Sequence, residues 1–536
     1  MKTTVDMIQA LRQSGLLARI VKSSGTAEQT WLQKLTYDSR EVSEGSFFIC
    51  KGSTFQMEYL GEAVQKGCTA YLIDQRVYEN EAASYAQMIE EALASRQNKI
   101  AECSVTGLIV TDIRRAMAVT AAVFYRYDPG RPMVTGITGT KGKTSTAWYL
   151  KAMLDLWQIE QGGKETGLIS TIETFDGSSH VESVMTTPEA PVIQKILANA
   201  GQNGLSHLTM EVSSQALKYQ RVYGMKFQVG VFLNISEDHI SPQEHKDFED
   251  YFSSKLSILR QSQTACVNLD CEQAERILKA AHKAGRILTF GKHPNAQIRY
   301  SDVRIEEYRA KQGGRISFLV SCDQFTERFS LAMCGRFNVE NAVAAIAAAS
   351  VYGVPVHCMK QALAETTVPG RMENFVSRDG KICAVVDFAH NRLSFEKLFD
   401  AAFTEYRAYK RIITVFGCPG GKALNRRREL GIIAGLFSDQ VCITSDSPGC
   451  ECQETIANEI KGYVEMTGCG SCCISERKNA VSKAIELGAQ YGERTLILVL
   501  GRGNENFQKI GKQICAYPKD AELVKAALAA YDRKRA

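Results

Sequence analysis

Short apolar runs separated by Gly, Pro and polar turns recur along most of this chain, and their lengths predict buried strands alternating with helices. Between residues 36 and 74 the runs FFIC and AYLID flank the turn-forming KGS, the pattern of a small α/β unit. From about Glu79 to Glu102 the chain is polar and helix-forming. The apolar run GLIV and an amphipathic stretch from Asp112 to Tyr127 follow, and the breaker DPGRP closes that helix. A second unit is expected to begin near Arg131. There MVTGIT, HLTMEV, VGVFLN, TACVNL and RILTFG alternate with helical segments, as in a parallel sheet. The helix-rich NVENAVAAIAAASVYG ends at Gly353, and VPGR at 368–371 reads as a linker. Beyond it, KICAVVDFAH, RIITVFGC, QVCITSD and TLILVLG are four buried-strand candidates, each ending in polar or Gly-rich residues. Ligands of open α/β sheets sit outside the carboxyl ends of the strands, so these four endings point at one site.

Composition narrows the class. A chain of 536 residues exceeds one ordinary core, and three domains are expected: 1–130, 131–367 and 368–536. With 45% hydrophobic and 23% charged residues it reads as globular. Arg12 and Arg19 interrupt the N-terminal apolar residues, so neither a signal sequence nor a membrane span is expected, and a cytoplasmic location is. Seventeen Cys without an even framework then read as reduced thiols. A net charge of +5 with dispersed basic residues gives no nucleic-acid footprint. A monomer is expected.

The chemistry starts at TGTKGKTST, Thr138–Thr146, placed between an apolar strand and the helical AWYLKAMLDLW. Gly139 and Gly142 let backbone close on phosphate oxygens, with Thr140 and Lys141 between them. Lys143 supplies a point charge, and Thr144, followed by Ser145, can hold magnesium at a helix start. Ile137 occupies the first Gly position of the standard loop, and a chance Gly-Lys-Thr turn is the competing reading. Glu211 ends one strand, and Asp238 with His239 ends the next, where a carboxylate and an imidazole could bind a second magnesium. Either residue alone is as readily a cap or a core group. The pairs Cys450/Cys452 and Cys469/Cys472, with Cys473, raise a structural zinc site as an alternative use of that segment, although their spacing fits no common pattern.

GTKGKTS resembles the shortened phosphate loop of the Mur ligases, the enzymes that build the peptidoglycan stem peptide, and further motifs extend the resemblance from about residue 36 to 510. It implies a three-domain α/β fold: a central P-loop mononucleotide-binding parallel sheet flanked by a small N-terminal α/β domain and a Rossmann-like C-terminal domain. It also implies an ATP- and Mg2+-dependent acid–amino-acid ligase working through an acyl phosphate. Tyr251-Phe-Ser-Ser-Lys255 is similar to a segment whose lysine is carbamylated into a metal ligand, so Thr144, Glu211, His239 and Lys255 become the implied metal set. Lys143 joins the last three in the catalytic set. Gly335-Arg-Phe-Asn338-Val-Glu-Asn341 is similar to an adenine-contacting stretch. Nucleotide contact is preferred for Asn341, and Asn338 is left open, since an Asn there is also a helix cap. Asp387 and His390, in DFAH, resemble residues that close over ATP.

The same resemblance supplies the other substrates. Ser39, in YDSR with Gly45 and Phe47, is similar to the segment that holds a uridine nucleotide. Thr186, Thr187, Ser213 and Arg221 match residues that bind the muramoyl dipeptide in the branch that adds the third stem residue. Asp446-Ser447-Pro448-Gly449 aligns with the segment that selects the incoming amino acid, together with Lys422, Gly501 and Glu505. Gly449 stands where an Arg pairs with the distal carboxylate of diaminopimelate, so L-lysine or another acceptor lacking that group is expected. Arg392, Asn504 and Tyr219 also depart from the pattern. The implied partners are UDP-N-acetylmuramoyl-L-alanyl-D-glutamate and a free amino acid. A paralogue with another acceptor or carboxylate, and a nucleotide-binding homologue without turnover, are the alternatives.

Overall fold

The computed structural model describes residues 2–23, 30–52, 55–96, 104–126, 130, 132–238, 240–241, 244–309 and 313–535. Three sheets account for nearly all the predicted strands. The first orders Leu17–Lys22, Thr106–Val110, Cys68–Asp74, Ser46–Cys50 and Lys34–Thr36, parallel except for the antiparallel first pair. The amphipathic stretch forms helix Ile113–Tyr125, started by Asp112, whose side chain accepts from the N–H groups of Arg114 and Arg115. The polar segment expected from Glu79 to Glu102 divides into helices Gln75–Asn80 and Ala82–Ala94, and its last residues lie outside the described ones. The unit boundary at Arg131 and most of DPGRP lie outside them too.

Seven strands of the eleven-stranded central sheet are parallel, in the order Gly167–Ile169, His207–Glu211, Met133–Thr138, Phe227–Phe232, Ser262–Asn268, Arg286–Gly291 and Ile298–Arg309. The expected parallel sheet is present, and antiparallel strands extend it at both edges. Glu173–Phe175 and His180–Glu182 add antiparallel strands on one side, and Gly313–Ser321 and Thr326–Leu331 on the other. Loop length is the cause: a connection of a few residues can only reverse the chain, whereas a parallel return needs a dozen or more. Helix Asn338–Tyr352 packs across this sheet with eleven buried residues and stops at Gly353, which adopts the left-handed conformation at φ 77°.

In the C-terminal sheet the four predicted strands become Ile382–Asp387, Thr495–Leu500, Arg411–Phe416 and Gln440–Ile443, parallel and adjacent in that order. Glu373–Val376 extends one edge antiparallel and Gly470–Cys473 the other in parallel. Apolar packing runs without a break from Leu150 and Phe290 of the central unit to Phe395 and Leu498 of the C-terminal one. At the join Tyr308 stacks on Tyr406 with ring centroids 5.0 Å apart. The buried Glu405 carboxylate accepts from the backbone N–H groups of Gly335 and Arg336 at 2.7 and 2.8 Å. The VPGR segment is accordingly packed and not a free linker. Val368 is buried, and a Cβ on Gly370 (φ 68°) would lie 2.6 Å from the carbonyl carbon of Gly503.

Arg477 and Asp520, both fully buried, form a bidentate pair at 2.7 Å for each bond, and Arg477 also donates to the carbonyl of Leu500 at 2.8 Å. Removing one member leaves a buried charge without its partner, which costs about 3–5 kcal/mol. Arg477→Met is therefore expected to lower the stability of the C-terminal unit by that amount in urea unfolding followed by circular dichroism, and a change below about 1 kcal/mol would contradict the assignment.

Candidate active site

Strand Met133–Thr138 delivers the chain into the Gly139–Gly142 loop, and helix Lys143–Glu160 leaves it. Gly142 sits at φ 88° with its Cα against the side-chain oxygen of Asn341, where a Cβ would collide. The loop is held from below by Asn234, whose Oδ1 accepts from the backbone N–H of Lys141 at 2.9 Å. Thr140 meets the hydroxyl of Tyr251 at 3.0 Å. Lys143 Nζ donates to the carbonyls of Gly139 and Thr140 at 2.8 and 3.2 Å. Lys255, on helix Phe248–Leu256 and almost wholly buried, donates to the same Gly139 carbonyl at 2.9 Å. Burial lowers the pKa of both lysines. Their mutual repulsion pushes Lys255 further, to well below the ordinary lysine range, while Glu211 and Asp238 partly support the charge on Lys143.

Glu211 is fully buried at the end of its strand, and among the described residues its carboxylate is bonded only by neutral donors. Thr144 Oγ1 donates at 3.0 Å, and Thr171 donates through its N–H at 2.7 Å and its hydroxyl at 3.2 Å. A buried anion beside a threonine hydroxyl at a helix start is an oxygen donor set that fits a hard divalent cation. His239, expected to join it, lies outside the described residues.

The C-terminal unit closes this loop from above. Asp238, its side chain 7% exposed, takes Lys141 at 3.3 Å, Arg426 at 3.6 Å and the side-chain N–H of Asn391 at 2.9 Å. Arg371 donates to Thr144 Oγ1 at 3.3 Å while its guanidinium lies 4.5 Å from the centroid of the Phe388 ring. Asp387 is tied down by backbone N–H groups of Met372 and Ala389, both at 2.8 Å; burial raises its pKa and Arg371 opposes that. His390 Nδ1 lies 2.6 Å from the Phe388 carbonyl, and burial holds its pKa well below normal. Asn338 and Asn341 are both buried in one chain of bonds, from Asn341 to Asn338 (3.1 Å) and from Asn338 to the Cys334 carbonyl (2.7 Å). Ser145 is buried in the first turn of helix Lys143–Glu160.

On the N-terminal side, Thr187 Oγ1 donates to the Glu211 carbonyl at 2.9 Å and accepts from the N–H of Ser213 at 3.0 Å, and Thr186 accepts from Thr171 at 3.1 Å. Arg221 donates to the Thr187 carbonyl at 3.0 Å and pairs with Glu189 at 3.1 Å, which in turn takes Lys51, the residue after strand Ser46–Cys50, at 2.8 Å. Ser39 is apart from this group; it donates to Glu62 at 3.3 Å in a 3-10 turn capped by Asp38. Within the C-terminal unit, Lys422, Asp446 and Glu505 lie within electrostatic reach of one another. Asp446 is buried and its pKa raised by that burial, against the pull of Arg477 and Arg502. Burial and the neighbouring Asp446 push Glu505 up to about 7. Ser447 and Gly449 both adopt left-handed conformations, at φ 50° and 60°. Gly449 is pinned by N–H donation to the Lys509 carbonyl and by accepting from Gly511, at 2.9 and 2.7 Å, while Gly420 donates to the Ser447 carbonyl at 3.3 Å across Pro448. A Cβ on Gly501 would stand 2.8 Å from Asp446.

Sequence reasoning passed over Arg371, Asn391, Arg426, Thr171 and Lys51. Arg371 was hidden in the supposed linker, although a lone Arg after Pro-Gly is a signal of its own. The three departures have structural consequences. Tyr219 carries the Arg114 guanidinium 4.0 Å above its ring, joining the first two units; Arg392 makes an exposed pair with Glu396; and Asn504 packs its backbone near Gly370. The cysteine segment does not converge. Cys469 points to the Ser438 carbonyl, Cys472 to Cys442 and Cys473 to the Ala457 carbonyl, with Cys450 and Cys452 exposed.

Comparison with known proteins agrees with this geometry. Residues 137–349 match the Mur ligase middle domain and residues 370–503 the Mur ligase glutamate ligase domain. The chain is 32% identical to the UDP-N-acetylmuramoyl-L-alanyl-D-glutamate–L-lysine ligase of Enterococcus faecalis, covering 94% of this chain and 93% of that one. It is 33% identical to the UDP-N-acetylmuramyl-tripeptide synthetase of Bifidobacterium longum, over 91% and 90% of the two chains. Among solved structures, a UDP-N-acetylmuramoyl-L-alanyl-D-glutamate–2,6-diaminopimelate ligase superposes with a TM-score of 0.59 at 22% identity, covering 93% and 95%. The MurF ligase of Thermotoga maritima in complex with ADP gives 0.58 at 17%, covering 95% and 99%. With its phosphate loop, its buried Glu211 and its closing C-terminal unit all falling inside the matched regions, the chain belongs to the Mur ligase family.

Proposed function

We propose that this protein is the ATP-dependent ligase that adds L-lysine to UDP-N-acetylmuramoyl-L-alanyl-D-glutamate in cytoplasmic peptidoglycan synthesis. The observation that carries the reading is the meeting of three cationic side chains, Lys141, Lys143 and Arg371, with the Thr144–Glu211 pair at one loop. Such a cluster neutralises a polyphosphate and the charge that develops as a phosphoryl group moves. Gly139, Thr140, Lys141, Gly142 and Ser145 would cradle the nucleotide phosphates, Asn341 would reach the base, and Asp387 and His390 would shape the lid. Thr144, Glu211, His239 and a carbamylated Lys255 would hold Mg2+, which when bound would supply positive charge against the phosphate and the acceptor acid. A depressed lysine pKa favours the neutral amine that carbamylation needs, which supports that role for Lys255.

The acceptor γ-carboxylate of D-glutamate takes the phosphoryl group, and the amine of lysine then displaces phosphate to leave an amide. Thr186, Thr187, Ser213 and Arg221 would hold the muramoyl dipeptide and Ser39 its uridine end. Binding through Arg221 must compete with the Glu189 pair, so substrate would exchange one carboxylate for another. Lys422, Gly501 and Glu505 with the Asp446–Gly449 segment would hold the amino acid. Two acids converge there, and residue 449 carries no cation for a distal carboxylate, which favours lysine over diaminopimelate. Closure over Asp238 would keep water from the acyl phosphate.

In an assay that reads ADP together with the mass of the UDP-linked product, lysine is expected to outcompete diaminopimelate and ornithine. Lys143→Ala should cut turnover by on the order of 10²–10³-fold. Preferred use of diaminopimelate, or an unchanged rate in the variant, would refute the reading. Glu505 must be ionised to hold an ammonium group, so kcat/KM for lysine should rise with pH through about 7. Glu505→Gln should flatten that limb; a profile identical to the parent would remove Glu505 from the amine site.

A further inference from the structure

On the face of the central unit away from the phosphate loop, three different donor atoms meet at one point. Glu160 is the last residue of helix Lys143–Glu160, and His357 and Cys358 lie in the first turn of helix Val356–Glu365. His357 Nε2 lies 3.0 Å from Glu160 Oε2, Cys358 Sγ lies 3.3 Å from the same oxygen, and Sγ and Nε2 are 3.4 Å apart. Two rigid packed helices, 197 residues apart in sequence at this contact, place these atoms. None of the three takes part in the chemistry at the phosphate loop.

From this triangle we infer a transition-metal site, with Glu160, His357 and Cys358 as protein ligands to Zn2+ or a similar borderline cation. Tetrahedral zinc with bonds of 2.0–2.3 Å requires ligand-to-ligand edges of about 3.3–3.6 Å, so the three atoms already form one face of the polyhedron and need to open by only a few tenths of an ångström. Nitrogen, sulfur and carboxylate oxygen are the donors zinc accepts, and they discriminate against the oxygen-seeking magnesium of the phosphate loop. Glu160 and His357 are exposed, which leaves an entry path and room for water as a fourth ligand. On binding, the Cys358 thiol loses its proton to solvent and the sulfur takes the metal in its place. The cation would clamp the far end of the phosphate-loop helix to the helix that leads into Val368–Arg371, so it would act on the rigidity of the site and not on the chemistry.

The test uses the full chain without nucleotide, titrated with Co2+ and then Zn2+. Cobalt should give a thiolate charge-transfer absorption at one equivalent, and zinc should displace it and raise the melting temperature. Cys358→Ser should abolish the band. His357→Ala and Glu160→Gln, at exposed positions, should fold normally and weaken zinc binding by more than tenfold in competition with a chromophoric chelator. Cys452→Ser should leave both readouts intact. A band that survives in Cys358→Ser, no band in the parent, or equal zinc affinity in parent and His357→Ala would each overturn the site.

Discussion

Lys141 from the phosphate loop and Arg426 and Asn391 from the C-terminal unit converge on the carboxylate of Asp238, and this shared anion links the closing of the molecule to the chemistry it encloses. Three lysines, at 141, 143 and 255, crowd one loop where burial disfavours every charge. Without Asp238 and Glu211 that arrangement would be repulsive; with them it is a poised site in which a polyanion can join or replace the carboxylates. A mostly dry environment strengthens each of these interactions, and so makes the position of every charge consequential.

Rigid packing permits such a concentration of charge. The apolar cluster continues from the central sheet through the Tyr308–Tyr406 stack into the C-terminal helices, and Glu405 fastens the same join through two backbone N–H groups. Across that join Arg371 rests on Thr144. The N-terminal unit adds to its apolar packing around Ala190 the Lys51–Glu189–Arg221 chain and the Arg114–Tyr219 stack, polar links that a large anionic substrate can rearrange.

Local order along the chain was legible in the residues themselves. Helix Asn338–Tyr352 with its Gly353 stop, helix Ile113–Tyr125 behind its Asp112 cap, and the four C-terminal strands follow from periodicity and capping, which act over a few residues. The phosphate loop is local for the same reason: its glycines, lysine and threonine are contiguous, and a strand and a helix bound it. Lys255 and the nucleotide role of Asn341 were reached only through resemblance, because nothing in a neighbouring stretch tells a lysine or an asparagine that it will be buried.

What tertiary structure alone decided is which distant groups share a charge and which segments are free. Arg371, Arg426 and Asn391 gain their meaning from facing the loop across the join between two sheets. The apparent linker at 368–371 is a packed wall, and the cysteines from 450 to 473 point at separate partners although their spacing suggested a cluster. Glu160, His357 and Cys358 meet because two helices pack. The physical reason is common to all: hydrogen bonds, caps and periodic burial are set by neighbours in sequence, whereas electrostatic and donor-atom constellations depend on the positions of elements brought together by the core.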